Sequence, residues 1–161
     1  MIRFGFIGTG RISDWVFKGA SEDPRIKVTA ICSRTEEAAK AFIARHPEIT
    51  GARIYTSVED MANDPDIDAI YIGTPNQTHH NYAITALNAG KHVLCEKPFS
   101  ISGDEAREMA AAARDNGKLL MEAMISTFNP NFRAFANHIG NVAPLRQYHS
   151  SYCQYSSKYE G

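Results

Sequence analysis

No run in the sequence approaches the roughly 18 apolar residues that cross a membrane, so no membrane span is expected. No charge sign dominates either: 17 basic residues face 18 acidic ones, for a net charge of −1. Without a field of one sign, neither nucleic acid nor an anionic membrane is an expected partner. Cysteine is scarce, and Cys32, Cys95 and Cys153 lie far apart with no CxxC pair. That spacing offers no disulfide framework and no zinc site, so no metal is expected. A reducing, cytoplasmic compartment is the matching expectation. The opening stretch MIRFGFIGTG lacks the basic and apolar regions of a signal peptide. Internal repeats and low-complexity linkers are absent. What remains, 161 residues with 43% apolar and 22% charged, has the composition of an ordinary globular chain with about one main core.

Apolar runs alternate with helical patterns. Residues 2–7 (IRFGFI), 26–32 (IKVTAIC), 53–55, 68–73 (DAIYIG), 91–95 (KHVLC) and 118–122 (KLLME) read as strands. Helical patterns fill the gaps at 11–20, 35–45, 57–63, 77–89 and 102–115. The first carries Ile12, Trp15, Val16 and Ala20 as its inward apolar set, and Thr35 can cap the second. This rhythm predicts an α/β fold, a Rossmann-type doubly wound parallel sheet with helices on both faces. It stops near residue 122, so residues 1–122 are expected to form one dinucleotide-binding domain. Beyond it, residues 129–138 read as a helix and 145–155 (LRQYHSSYCQY) as an alternating strand without a partner. Residues 123–161 are therefore expected to be the opening helix and strand of a second α/β domain. Such an edge, with Tyr148, Tyr152 and Tyr155 along it, could pair with another copy of the chain.

The first strand ends in Gly8-Thr9-Gly10-Arg11-Ile12-Ser13. Gly8 permits a tight turn, Gly10 lets backbone approach a pyrophosphate, and Ser13 is small enough for close packing of helix on strand. The helix starting near Arg11 and Ile12 offers free N–H groups and the positive end of its dipole to phosphate. A strand before and a helix after make dinucleotide binding the expectation over a structural turn. At the tip of the second strand stand Cys32-Ser33-Arg34-Thr35, with no carboxylate before Glu36. A carboxylate there would suit the ribose of NAD, whereas Arg34 suits the extra phosphate of NADP. NADP is the expected cofactor, with NAD still possible; Arg34 also reads as a solvated residue at a helix start.

Gly73-Thr74-Pro75-Asn76 and Cys95-Glu96-Lys97-Pro98 each end a strand, the place where ligands of open α/β sheets bind. The combination of GFIGTGRIS, TPNQTHH and AGKHVLCEKP closely resembles the Gfo/Idh/MocA family of NAD(P)-dependent oxidoreductases. SRT, LCEKP and LMEA followed by FNP look most like its dimeric dihydrodiol dehydrogenase branch. The resemblance implies that Lys97 is the catalytic proton donor or relay beside the nicotinamide. It implies that Glu96 holds the cofactor ribose or orients Lys97, across a cis Lys97–Pro98 bond. It also places Thr74, Pro75, Asn76 and His79 against the nicotinamide ribose and pyrophosphate. For His79 a structural capping role stands equally open.

Two departures matter. Relatives read EAxxxRFxP after the sixth strand, and here Thr127 stands where the arginine would be. Family members are also roughly twice this long. The resemblance implies an NADP-linked hydride transfer to or from a sugar, cyclitol or diol-type small-molecule substrate, in a full-length homo-oligomer. The alternative is a dinucleotide-sensing regulatory protein of the same fold, against which the intact Lys97 speaks.

Overall fold

A computed structural model describes residues 1–141 together with 144, 146, 147 and 149. The chain divides into two units, Met1–Met124 and Ile125–Gly161. The first holds six strands: β1 (Ile2–Ile7), β2 (Ile26–Cys32), β3 (Arg53–Tyr55), β4 (Ala69–Ile72), β5 (His92–Cys95) and β6 (Leu120–Glu122). Between them run α1 (Arg11–Ser21), α2 (Glu36–Arg45), α3 (Val58–Ala62), α4 (His79–Asn88) and α5 (Gly103–Asp115). Every strand pair is parallel, in the order β3-β2-β1-β4-β5-β6. The chain winds outward from β1 in one direction, returns, and winds outward from β4 in the other.

Strand alternation sorts side chains into two cores. Phe6, Ile31 and Tyr71 join Phe17 of α1 and Phe42 of α2 on one face. Ile7, Ile70, Ile72 and Val93 join Met61, Leu87 and Met109 from α3, α4 and α5 on the other. β4 is buried at all four positions, as a central strand covered on both faces must be. The first core is aromatic: Phe6 stands 4.8 Å from Tyr71 and 6.3 Å from Phe17 between ring centroids. β2 carries one residue more than β1, because Phe4 pairs with Val28 but Gly5 with Ala30. The inserted Thr29 lets Val28 and Ile31 both face the aromatic side despite their odd spacing.

Trp15 corrects an expectation. Its indole is 70% exposed, while Ser13 and Phe17 are buried. The stripe facing the sheet is Ser13, Val16, Phe17 and Ala20, spaced i, i+3, i+4, i+7, and Trp15 falls outside it. Apolar character alone places Trp15 inward; the close approach of α1 to the strands reserves that face for the small Ser13.

Charge collects where the strands begin. Asp68, just ahead of β4, accepts from Arg3 Nη2 at 2.7 Å and Nε at 3.0 Å. Lys91, ahead of β5 and only 8% exposed, donates to the carbonyls of Asp64 (2.7 Å) and Ile67 (2.8 Å). These pairs close the amino edge of the sheet and leave the carboxyl edge to the loops.

In the second unit α6 (Ile125–Phe128), which the sequence pattern does not announce, precedes α7 (Pro130–His138). Asn129 caps α7 by accepting from the backbone of Asn131 and Phe132, with Pro130 in the first turn. The strand expected over 145–155, with Tyr148, Tyr152, Cys153 and Tyr155, lies outside the described residues apart from isolated positions.

Candidate functional site

The loops at the carboxyl edge enclose a cleft of about 650 Å³. Its wall comprises Gly8, Thr9 and Gly10 after β1, Ser33, Arg34 and Thr35 after β2, Thr56 after β3, and Gly73, Thr74, Pro75 and Thr78 after β4. The cleft straddles β1 and β4, where the strand order reverses and ligands of open sheets bind. A smaller cavity of about 130 Å³ opens by the start of β2, lined among others by Phe17, Lys27 and Glu48, and includes none of the motif residues.

The two loop glycines serve different ends. Gly8 has φ +99°, and a Cβ there would stand 2.4 Å from the carbonyl oxygen of Gly73. The turns after β1 and β4 touch at that point, so the fold itself requires glycine. Gly10 has an extended backbone, φ −81° and ψ 175°, and a Cβ there would meet no atom within 4 Å. Among the described residues nothing asks for glycine at position 10, and Gly10 lines the cleft. No side chain caps α1, whereas Thr35, Ser57 and Ser102 cap α2, α3 and α5. The first N–H groups of α1 thus remain for another acceptor. Ser13 packs at full burial behind this turn.

The loop is held from outside. Arg45 Nη2 donates to the Thr9 carbonyl at 3.1 Å and to Asp14 Oδ1 at 3.0 Å. Asp14 Oδ1 also meets His46 Nε2 at 2.7 Å. Burial pulls the Asp14 carboxyl up, but the hydrogen bonds from His46 and Arg45 outweigh it and leave the group below its ordinary range. Thr9 and Ser33 hydroxyls lie 3.4 Å apart across the wall. Arg34 is exposed on that wall, and no group among the described residues pairs with its guanidinium.

After β4, the Thr74 and Thr78 hydroxyls meet at 2.7 Å and Thr78 also donates to the Pro75 carbonyl. Asn76 is exposed at the head of the turn. His79 is fully buried, with Nε2 2.9 Å from the Thr74 carbonyl and Nδ1 2.9 Å from the Pro98 carbonyl. Both ring nitrogens face backbone carbonyls, and neither is left for a ligand.

After β5, Glu96 is buried; Oε1 accepts from the Tyr71 hydroxyl at 3.2 Å and Oε2 from the Lys97 N–H at 3.2 Å. Its carboxylate is therefore committed to a phenol and a peptide group, not to the Lys97 ammonium. Lys97 is exposed, follows with a cis bond to Pro98, and its ammonium has no side-chain partner among the described residues. Burial pushes the Tyr71 phenol up, a perturbation the apolar look of DAIYIG conceals. Burial likewise raises the thiols of Cys32 and Cys95, to about 11 and about 12. Neither offers a thiolate nucleophile at neutral pH. Arg11, Ile12, Asn76, His79, Glu96 and Lys97 do not line the cleft, whereas Thr56 and Tyr82 do line it and escape notice in the sequence. Among the described residues no group of three His, Cys, Asp or Glu could hold a metal ion, and no helix is long and apolar enough to cross a membrane.

A parallel sheet in this order, with a glycine turn opening a helix at the reversal point, defines a dinucleotide-binding domain of the Rossmann type. The chain belongs to the Gfo/Idh/MocA oxidoreductase family with an NAD-binding Rossmann fold, whose pattern it matches over residues 2–124. It is 42% identical over 160 residues to the scyllo-inositol 2-dehydrogenase (NADP(+)) of Bacillus subtilis, covering 99% of this chain and 48% of that enzyme. It is 39% identical over 130 residues to the trans-1,2-dihydrobenzene-1,2-diol dehydrogenase of Xenopus laevis, covering 80% of this chain and 38% of that one. Among solved structures, a 3-ketoreductase from Actinomadura kijaniata in complex with NADP superposes with a TM-score of 0.78 at 33% identity, over 88% of this chain and 44% of that one. The chain thus spans about half the length of the first of these curated relatives.

Proposed function

We propose that this chain binds NADP and forms the cofactor-holding part of an oxidoreductase acting on a sugar, cyclitol or related diol. The observation that carries this reading is Arg34. Among the described residues its guanidinium has no partner on the cleft wall at the tip of β2, where no carboxylate precedes Glu36. A planar cation suits a phosphate ester on the adenosine ribose. Ser33 would share that phosphate. Gly8, Thr9 and Gly10, with the first N–H groups of α1 at Arg11 and Ile12, would hold the pyrophosphate. Thr74, Pro75 and Asn76 would border the nicotinamide side, near Glu96 and Lys97. Residues 123–161 would lead into the part that contacts substrate.

The nicotinamide, when bound, supplies or accepts the hydride. Lys97 manages the proton: its Nζ gives one to the substrate oxygen during carbonyl reduction and takes one back during alcohol oxidation. As a cation it also stabilises charge on that oxygen. Glu96 holds the Lys97 N–H, and His79 acts through the Thr74 and Pro98 carbonyls. The relatives named for inositol and dihydrodiol oxidation support the substrate class.

Fluorescence titration with NADPH and NADH tests the cofactor assignment. NADPH is expected to bind at least about tenfold tighter, about 1.4 kcal/mol, and Arg34→Ala to erase that difference while sparing NADH. Equal affinities in the unaltered chain would reject the phosphate role of Arg34. Lys97→Ala is expected to abolish NADPH turnover by the full-length protein with a cyclitol ketone while keeping NADPH binding. Undiminished turnover would remove Lys97 from the chemistry.

A further inference from the structure

We propose that Glu122, at the end of β6, is a positioning residue for Lys97, fixing the turn that carries it. The inference rests on the reading of Lys97 as the group that works beside the cofactor. The Lys97 ammonium has no side-chain partner among the described residues, so only its backbone sets where it stands. Pro98 has no N–H, which leaves the amides of Lys97 and Phe99 as the donors of the turn. Both end on carboxylates. Lys97 N–H donates to Glu96 Oε2 at 3.2 Å, and Phe99 N–H donates to Glu122 Oε1 at 2.9 Å. The carbonyl between them, that of Pro98, meets His79 Nδ1 at 2.9 Å.

Three consecutive residues are thus contacted by three side chains, one from the loop after β5, one from α4 and one from β6. The Glu122 bond is charge-assisted and spans 23 residues of sequence. Among the described residues no cation pairs with Glu122, so its carboxylate serves this backbone N–H. Phe99 adds its own anchor: its ring packs against the core and its carbonyl lies 3.9 Å from Cys95 Sγ. The other His79 nitrogen lies 2.9 Å from the Thr74 carbonyl on the cleft wall. With Phe99 released from Glu122, the outer half of the turn would keep the His79 contact, the weak Cys95 thiol contact and the Phe99 packing, and Lys97 would be held less firmly, by the Glu96 bond at its own N–H.

The test is NADPH protection of Lys97 against acetylation by acetic anhydride, read by mass spectrometry with exposed Lys18 as the internal reference. Bound NADPH is expected to slow labelling of Lys97 in the unaltered chain. Glu122→Gln keeps an oxygen within reach of the Phe99 N–H and is expected to keep the protection. Glu122→Asp keeps the charge but withdraws the oxygen by one methylene, and Glu122→Ala removes it. Both are expected to lose roughly 3- to 10-fold of the protection, the effect of one ordinary hydrogen bond, at unchanged NADPH affinity. Full protection in Glu122→Asp and Glu122→Ala would overturn the proposal. So would a fall in NADPH affinity that matches the lost protection, which would mark Glu122 as a support of the cofactor site as a whole. NADPH binding that leaves Lys97 unprotected in the unaltered chain would overturn it as well. An unaltered chain that binds no NADPH would overturn the cofactor reading itself, and the proposal with it.

Discussion

Replacing each loop glycine by alanine separates what the fold needs from what the cofactor needs. At Gly10 the backbone is extended and an added Cβ meets nothing within 4 Å. Alanine is a poorer helix cap than glycine by up to about 1 kcal/mol. It also restricts the unfolded chain, which returns about 0.4–1 kcal/mol. The two nearly cancel, so Gly10→Ala is expected to unfold within about 1 kcal/mol of the unaltered chain. Gly8 differs on both counts. Its φ of +99° strains any other residue, and the new Cβ would lie 2.4 Å from the Gly73 carbonyl oxygen. Left-handed strain of about 1–2 kcal/mol and overpacking of about 1–3 kcal/mol give Gly8→Ala an expected loss of roughly 2–5 kcal/mol. For cofactor binding the ranking reverses in cause. The Gly10→Ala methyl occupies the space where backbone would approach the pyrophosphate, so NADPH affinity is expected to fall at least about tenfold in a chain of normal stability. Urea unfolding and NADPH fluorescence titration of the two variants supply both axes. Gly10→Ala binding NADPH within about twofold of the unaltered chain, a difference of only about 0.4 kcal/mol, would refute the assignment of that space to the cofactor. Gly10→Ala unfolding as readily as Gly8→Ala would refute the distinction between the two glycines.

Lys91→Met leaves the Ile67 carbonyl without its donor and the Asp64 carbonyl with only the Ile67 N–H at 3.3 Å. At roughly 1–3 kcal/mol for a buried unpaired group, a loss of at least about 1 kcal/mol is expected in urea unfolding; a neutral result would show that water replaces the ammonium. Asp68 is held down to about 2, first by its hydrogen bond from Arg3. A depressed carboxyl contributes stability that is complete above its unfolded value near 4 and is lost as pH falls through about 2. Because that side chain is 36% exposed, solvent screening reduces its share to about 1 kcal/mol. Asp68→Asn should flatten the stability profile between those pH values, and an unchanged acid limb would count against the pair. Trp15→Ser, at a side chain 70% exposed, is expected to change stability by no more than about 0.5 kcal/mol; a loss above about 3 kcal/mol would mean the indole is core after all.

Local patterns carry the features of this chain that depend on neighbours in sequence. Alternating residues in IRFGFI and IKVTAIC, and capping residues such as Thr35, announce their elements because strand and helix periods are set within a few residues. The glycine turn is legible for the same reason: its strand, its two glycines and its helix are contiguous. What escapes is decided by partners far along the chain. His79 and His80 are alike in sequence, yet one is fully buried between two carbonyls while the other pairs at the surface with Glu108, 28 residues on. Tyr71 sits in an apolar run, and only the fold brings its hydroxyl to Glu96, 25 residues away. Lys91 opens a strand and looks solvated until the chain between α3 and β4 folds over it. Trp15 fails for a related reason, since which helix face is inward depends on how near the sheet lies at each turn. The same distinction explains why the end of the site proposed for phosphate is the more legible one. Backbone of one short segment builds it, whereas the turn bearing Lys97 is contacted by Glu96 just after β5, His79 of α4 and Glu122 of β6. Sequence motifs can mark the lysine and Glu96 beside it, but the contacts of His79 and Glu122 with the same turn become visible only when the strands are set side by side.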